Sequence, residues 1–590
     1  MRSLRWISRT IVCGILAALV LSGCAPASSR QDRDVEVPAK VARTVEVAGL
    51  KLEVPDDYLL WPARVPVDPR EPKYGGVIKV PYPGDPPSID PTLTSSYLRG
   101  YITSSVYERL VHWPASADAD PYDIKLIPGL AESWKVSEDG LTYTFKLRKG
   151  VKWVNVPPLN GREFSAADVR FSYEYYTRKE SIMKEGFANV SAVSTPDDFT
   201  AIYRLKEREP GFIFELSSTG IGYIVPMEVA EQDGNLKRVV LGTGPFYNDD
   251  GYQPKQGIKY KRSPNYWGKD DQGRQLPFVE GWEFVVVPDA AARQAGFRTG
   301  KLDWGSYGTI DQTQALLRTN PNIYGQETYS PRGGAGYMFR LDKTPWNDVR
   351  VRRAMNLAID YNQWAQLVYS LSKASALAIE PRTTWFKDRN LSDAPEGLGE
   401  WFQHDPEKAK RLLAEAGYPN GFKTTLEYFK YAQSNEENVE LLRDFWAKIG
   451  VEAELKSMDY TVFRANVDSA GWENISHAFS FPNRMDVDSQ LNFLYSKGLG
   501  IKTQGGINDP KIDEWVLAFW ASKDEGERIK LLRQIRERSL DQVFYIPNPI
   551  TPGLQMIQPW VRNLTPNNNA FGAQDYRPIA YAWIDDGWRK

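Results

Sequence analysis

Residues 129–153 read GLAESWKVSEDGLTYTFKLRKGVKW, and this stretch decides the fold. On the return run, Tyr143, Phe145 and Leu147 alternate with Thr142, Thr144, Lys146 and Arg148, the period of a half-buried strand. Glu138-Asp139-Gly140 stands between the two runs, and Asp-Gly supplies the positive φ that a tight hairpin requires. Beyond it, Ser165-Ala166-Ala167-Asp168 sets an N-cap serine three residues before an acid. Val169, Phe171, Tyr173 and Tyr176 then carry apolar and aromatic side chains into a helix. A hairpin followed by a capped helix is scaffold. It carries no chemistry of its own.

Together with FSAADVRFSYEYY (Phe164 to Tyr176), this wording closely resembles the signature region of solute-binding protein family 5. Those are large binding proteins of ABC importers for oligopeptides, dipeptides, nickel complexes and some oligosaccharides. Further segments match in the family's order: LGTGPF (Leu241 to Phe246), YKRSPNYWG (Tyr260 to Gly268), NDVRVRRAMNLAID (Asn347 to Asp360) and DPEKAKRLLAEAGYPNGF (Asp405 to Phe422). The resemblance runs from about Tyr74 to the C-terminus. It implies a two-lobed α/β fold, periplasmic-binding-protein-like (Venus-flytrap), with an extra subdomain in the first lobe.

At 590 residues the chain exceeds one ordinary core. A formal charge of −2 gives no support to a nucleic-acid partner. Arg2, Arg5 and Arg9 precede the apolar run Thr10 to Leu21, which is shorter than the ~20 residues that cross a bilayer. Leu21-Ser22-Gly23-Cys24 resembles a lipobox, which implies cleavage after residue 23 and acylation of Cys24. Acyl chains contribute about 0.8 kcal/mol per buried CH₂, so such a cysteine holds a soluble domain on a membrane, facing the periplasm or the cell exterior. The two cysteines are Cys13, inside the signal, and Cys24, so the mature domain has no disulfide.

The expected organisation is a signal peptide (1–23), a proline-rich lipid-anchored tether (24–73), and a first lobe in parts. These are 74–105, the extra subdomain 106–224, and 225–329. A second lobe follows at 330–544, and 545–590 returns to the first. Whether Val45 to Trp61 packs on the domain is left open. Tyr97 to Leu110 has helical apolar spacing, and the resemblance makes Val106 to Leu110 the helix entering the subdomain. Phe284-Val285-Val286-Val287 reads as a strand buried on both faces. In the second lobe, Asp405-Pro406 and Asp509-Pro510 start helices, Glu436 to Ile449 stops at Gly450, and Thr424 to Phe429 and Val451 to Leu455 read as strands.

No nucleophile elbow, zinc-protease helix or phosphate loop is present, so no enzymatic reading has a motif behind it. Glycine-rich Arg332 to Gly336 reads as a turn near the hinge. His112, His404 and His477 lack metal-ligand spacing, and neither a metal nor a cofactor is expected. Arg350, Arg352 and Arg353 alternate with Val349, Val351 and Met355, as solvated helix positions or ion pairs would.

The resemblance places the ligand between the lobes and draws its contacts from three regions. Here these are Tyr97 and Tyr101, then Tyr337 and Phe339, and finally the segment around Trp472, Phe481, Asn483, Arg484, Asp486 and Asp488. Peptide binders of the family place an aspartate there to meet the peptide's α-amino group. The usual tryptophan-containing run ending in Asp-Pro is replaced by Phe481-Pro482-Asn483-Arg484-Met485-Asp486-Val487-Asp488. Asp486 and Asp488 fit a capping or surface role as well as an amine-binding one, and Trp472 fits a core as well as a ligand. An oligosaccharide stacked on Trp346, Trp385, Trp401 or Trp472 is the alternative ligand, and a non-transport sensor lipoprotein the alternative class. The expected partners are a small solute, an ABC permease and its ATPase, and a membrane through Cys24. A monomer is expected.

Overall fold

The computed structural model describes residues 43–54, 60, 65–86, 88–94, 97–119, 126–209, 211–218, 220–306, 310–329, 336–369, 399–429, 433–458, 462–463, 466–467, 471–478, 487, 491, 494–496, 505–522, 524–549, 552–565 and 575–589. The quoted hairpin forms strands Ala131–Val136 and Thr142–Leu147, which pair antiparallel. Gly140 turns it at φ 74°, and Tyr143, Phe145 and Leu147 are buried as the alternation requires. Strands Thr200–Leu205 and Val190–Asp197 complete a four-stranded antiparallel sheet.

Helix Ala166–Thr177 starts where the cap is read, and the Ser165 amide donates to Asp168 Oδ2 at 2.9 Å. The same carboxylate, fully buried, accepts Arg162 Nη2 at 2.6 Å and Trp153 Nε1 at 3.3 Å. One capping residue therefore joins helix, hairpin exit and loop.

Helix Tyr97–Thr103 stops short of the expected Leu110. The Val106 and Tyr107 amides still donate to the Thr103 carbonyl, but the carbonyls from Ser105 onward are taken by tertiary partners. The Gly244 and Phe246 amides donate to the carbonyls of Val106 and Ser105, and Arg109 bridges Tyr223. Val106 to Leu110 is thus extended and looped, because its hydrogen bonds go to another segment.

Strands Val77–Tyr82 and Gly281–Val286 run parallel in a mixed four-stranded sheet with Gly257–Arg262 and Phe246–Tyr247. Trp282 and Phe284 are buried on one face of Gly281–Val286, where Val286 is half-buried. On the other, Glu283 lies 3.8 Å from Lys79 and Val285 is half-buried, which corrects the reading of a strand buried on both faces.

Within the stretch read as tether, Arg43–Val47 and Leu50–Val54 form a hairpin. Leu50, Leu52 and Val54 are buried while Lys51 and Glu53 are exposed, and the Ala48 carbonyl accepts Arg562 Nη2 at 2.8 Å.

The second large sheet has the order Val451–Met458, Phe422–Phe429, Ile475–Ala478, Gly336–Phe339, Tyr545–Pro547. Asp405 caps helix Pro406–Glu415, and Asp509 caps Pro510–Ala521. After Tyr545–Pro547, strand Pro552–Ile557 enters a three-stranded sheet with Trp304–Gly305 and Tyr324–Tyr329.

Candidate ligand site

In the five-stranded sheet, Phe422–Phe429 runs parallel to both its neighbours, Val451–Met458 and Ile475–Ala478. From Phe429 the chain passes through helix Gln433–Ala447 to the strand on one side. From Ala478 it returns through Pro510–Ala521 and Glu525–Gln542 to the opposite edge, Tyr545–Pro547. The two connections diverge, so the carboxyl end between Phe429 and Ala478 is a topological switch point. Open α/β sheets bind ligands there.

The segment carrying Phe481, Asn483, Arg484, Asp486 and Asp488 follows Ala478 directly; these five residues lie outside the described residues. Val487 among them is described, and it is buried in an apolar cluster with Ile512, Phe519 and Phe544. Around the strand ends, Phe429 stacks on His477 with ring centroids 5.4 Å apart, and Phe463 lies 5.0 Å from Phe429. Burial pushes the His477 imidazole down to about 4, so it is neutral at pH 7.

Tyr337 and Phe339 lie on Gly336–Phe339, each no more than 1% exposed. Tyr337 is 5.2 Å from His477, and Phe339 stacks on Trp346 at 5.0 Å. Trp472 is fully buried against Met338, with the Arg340 guanidinium 5.3 Å from its ring. These three rings are packed in the interior around the five-stranded sheet. Trp346 is core as well, and Trp401 lies between Arg353 (4.3 Å) and Lys408 (4.5 Å). Trp385 lies outside the described residues.

In the mixed four-stranded sheet, Tyr82 closes Val77–Tyr82 at the carboxyl end it shares with Gly281–Val286. Tyr82 stacks on Phe284 at 4.0 Å and lies 4.8 Å from Tyr101, which stacks on Tyr576 at 5.1 Å. Tyr101 is half-buried, while Tyr82 and Tyr576 are buried. Tyr97 opens the same helix one turn earlier, its side chain outside the described residues. Sequence reasoning missed Tyr82 and Tyr576. Neither carries a local pattern that marks it.

Residues 125–500, more than half of the chain, match the family of bacterial extracellular solute-binding proteins, family 5 (middle). The chain belongs to this family. The heme-binding protein A of Haemophilus influenzae is 29% identical over 486 residues, 78% of this chain and 84% of that one. The dipeptide-binding protein of Escherichia coli K12 is 29% identical over 490 residues, covering 78% and 86%. The structure of the ABC transporter-associated periplasmic binding protein DppA of Helicobacter pylori, in complex with peptide STSA, superimposes with a TM-score of 0.68 at 23% identity. It covers 87% of this chain and 98% of that one. The fold is therefore the two-lobed α/β fold of periplasmic binding proteins.

Among the described residues of this solute-binding protein, no group of three or more His, Cys, Asp or Glu side chains is placed to hold a metal. Among them too, no helix is long and apolar enough to cross a membrane. Arg350 pairs with Asp348 and Arg353 with Asp541, as read from sequence. Arg352 departs from that reading. It is buried, and it donates to the carbonyls of Trp346 (2.7 Å) and Gln542 (2.8 Å), closing the end of helix Glu525–Gln542. Burial, with the Arg353 charge, lowers its pKa to about 10.

A second buried polar cluster joins residues 108–113 to 575–577. Asp575 accepts Arg109 Nη2 and Arg577 Nη2, each at 2.6 Å, and Glu108 accepts Trp267 Nε1 at 2.8 Å. Burial raises Glu108 to about 7 against the hydrogen bond of Trp267. Burial and the Arg577 and Arg109 charges hold His112 well below its ordinary value.

Proposed function

We propose that this protein captures a short peptide between its two lobes and delivers it to an ABC permease whose ATPase partner drives release. The observation that carries the reading is the match, over most of their own length, to proteins named for dipeptide binding and solved with peptide bound. The switch point between Phe429 and Ala478 supports it further, since the segment read as ligand-binding begins at that strand end. In this reading Asp486 or Asp488 meets the peptide ammonium, Phe481, Asn483 and Arg484 shape the neighbouring subsites, and Tyr97 and Tyr101 form the facing wall. Closure is a population shift driven by contacts made only in the closed state, with Tyr337, Phe339 and Trp472 at or behind the surface that closes.

The remaining assignments rest on sequence. The lobes divide near residues 330 and 544, and acyl chains on Cys24 tether the domain to the membrane. The protein acts as a monomer, uses no cofactor and performs no covalent chemistry. A thermal-shift panel on the acyl-free mature domain tests the reading. Peptides of two to eight residues are set against gluco-, xylo- and manno-oligosaccharides and hemin. Ligand at about 100 times its Kd stabilises by roughly 2.7 kcal/mol. A shift with peptides supports the proposal. A shift with sugars or hemin alone refutes it.

A further inference from the structure

A cavity of about 650 Å³ opens where the ends of helices Ala290–Arg298 and Ile310–Thr319 meet residues 558–560 and 587–589. That volume lies within the ~300–1,000 Å³ of small-molecule sites. None of the cleft candidates lines it. Its walls hold two tryptophans, Trp560 and Trp588, two arginines, Arg298 and Arg589, and the amides of Asn320 and Asn322, with no carboxylate among the lining residues.

Both indoles are held in place. Trp560 Nε1 donates to Asp303 Oδ1 at 2.7 Å, and Asp303 Oδ2 accepts the Lys79 amide at 2.7 Å. Gly300 lies so close to Trp560 that a Cβ would come within 2.9 Å of Cη2, so the approach admits no side chain. Trp588 rests over the guanidinium of fully buried Arg562, 5.6 Å from its ring centroid. The Arg589 guanidinium lies 5.9 Å from the Trp560 ring and 3.9 Å from Asp303 Oδ1, loosely placed and 38% exposed. Arg298 is exposed, and the Asn320 amide fixes its carbonyl at 3.1 Å. A cation at a helix C-terminus complements the helix dipole, which accounts for Arg298 alone. It leaves Arg589 and the two indoles unexplained.

Indoles lining a cavity offer apolar surface to a ring, amides bond hydroxyl groups, and exposed guanidinium groups favour a carboxylate or phosphate, which at Arg589 has to outcompete Asp303 3.9 Å away. We infer that this cavity is a second ligand site, outside the interlobe cleft, for an acidic sugar: a hexuronate or a sugar phosphate.

The test is a calorimetric titration of the mature domain with glucuronate, glucose 6-phosphate, glucose and inorganic phosphate, repeated on the R298A/R589A double variant. The proposal expects glucuronate or glucose 6-phosphate to bind, with glucose and inorganic phosphate each at least about tenfold weaker, and the double variant to lose at least about tenfold in affinity for the acidic sugar. Both arginines are surface residues, and an unchanged unfolding curve shows that the variant is folded. The proposal fails if neither acidic sugar binds, if glucose or inorganic phosphate binds as well as they do, or if the double variant binds like the parent, which would place the sugar in the cleft instead. Peptide binding in the same variant reads the cleft separately, so failure of one proposal leaves the other testable.

Discussion

Arg109 Nη2 and Asp575 Oδ2 meet at 2.6 Å, with both side chains buried and 466 positions apart in the chain. The pair ties an early segment of the folded body to its last, and Arg577 shares the carboxylate. Removing one partner of a buried pair leaves an uncompensated charge, at a cost of about 3–5 kcal/mol. Asp575→Ala is expected to lower the unfolding free energy of the mature domain, read by urea titration at pH 7, by that amount, and Asp575→Asn by less. A loss under ~1 kcal/mol would mean that water reaches the arginines.

Burial raises Glu108 to about 7, above its ordinary 4.5, so the folded state favours the protonated form. Its contribution is fully present below the unfolded pKa and is lost as pH rises through 7. His112 and His477 act oppositely. Burial depresses both, so their contribution is present above about 6.5 and is lost as pH falls. Between pH 5 and 7 the acid and the histidines therefore offset one another. In Glu108→Gln that opposing contribution is gone, and unfolding free energy is expected to rise with pH more steeply than in the parent. Urea titrations at half-unit pH steps read this; equal slopes would show that Glu108 is ionised throughout.

Below pH 4, burial of Asp575 is outweighed by Arg577 and Arg109, which hold it at about 2. Its stabilisation is present above an unfolded value near 3.8 and is lost on acidification toward 2. Acid unfolding of Asp575→Asn is expected to begin from a lower stability at pH 5 and to fall less between pH 4 and 2. Circular dichroism across that range checks the slope.

The motif LGTGPF gains a physical reading from Val106. A Cβ on Gly242 would come within 2.1 Å of the Val106 carbonyl oxygen, and one on Gly244 within 2.6 Å. Gly242→Ala is expected to destabilise by at least ~2 kcal/mol, since backbone must move. Gly84→Ala, with nothing within 4 Å of the added Cβ, is expected to be near neutral. Comparable unfolding midpoints for the two would contradict the packing.

Elements set by local chemistry were legible in the sequence. The Asp-Gly turn, the Ser165–Asp168 cap and the Asp-Pro starts at 405 and 509 each place an element within a few residues of its observed bounds. Val106 to Leu110 was not, because carbonyls bound by Gly244 and Phe246 override a helical apolar spacing that has no competitor in sequence. Arg352 read as a solvated position, since nothing local shows that the carbonyls of Trp346 and Gln542 converge on it. For the site, Phe481, Asn483, Arg484, Asp486 and Asp488 lie outside the described residues, and the burial of Trp472 and Phe339 was not legible. Aromatic residues look alike in sequence whether they face a ligand or a core. The partnership of Tyr82, Tyr101 and Tyr576 likewise depends on a return of the chain from its far end.

The most direct test of the central claim is isothermal calorimetry of the mature domain with a di- and tripeptide panel, run on the parent and on Asp486→Asn, Asp488→Asn and the double variant. The account predicts saturable one-to-one binding of a peptide with a free α-amino group. Affinity should fall at least about tenfold in one of the aspartate variants and for the N-acetylated peptide. Peptide binding indifferent to both N-acetylation and the double substitution would contradict the assigned amine contact. Absence of peptide binding across the panel would contradict the claim itself.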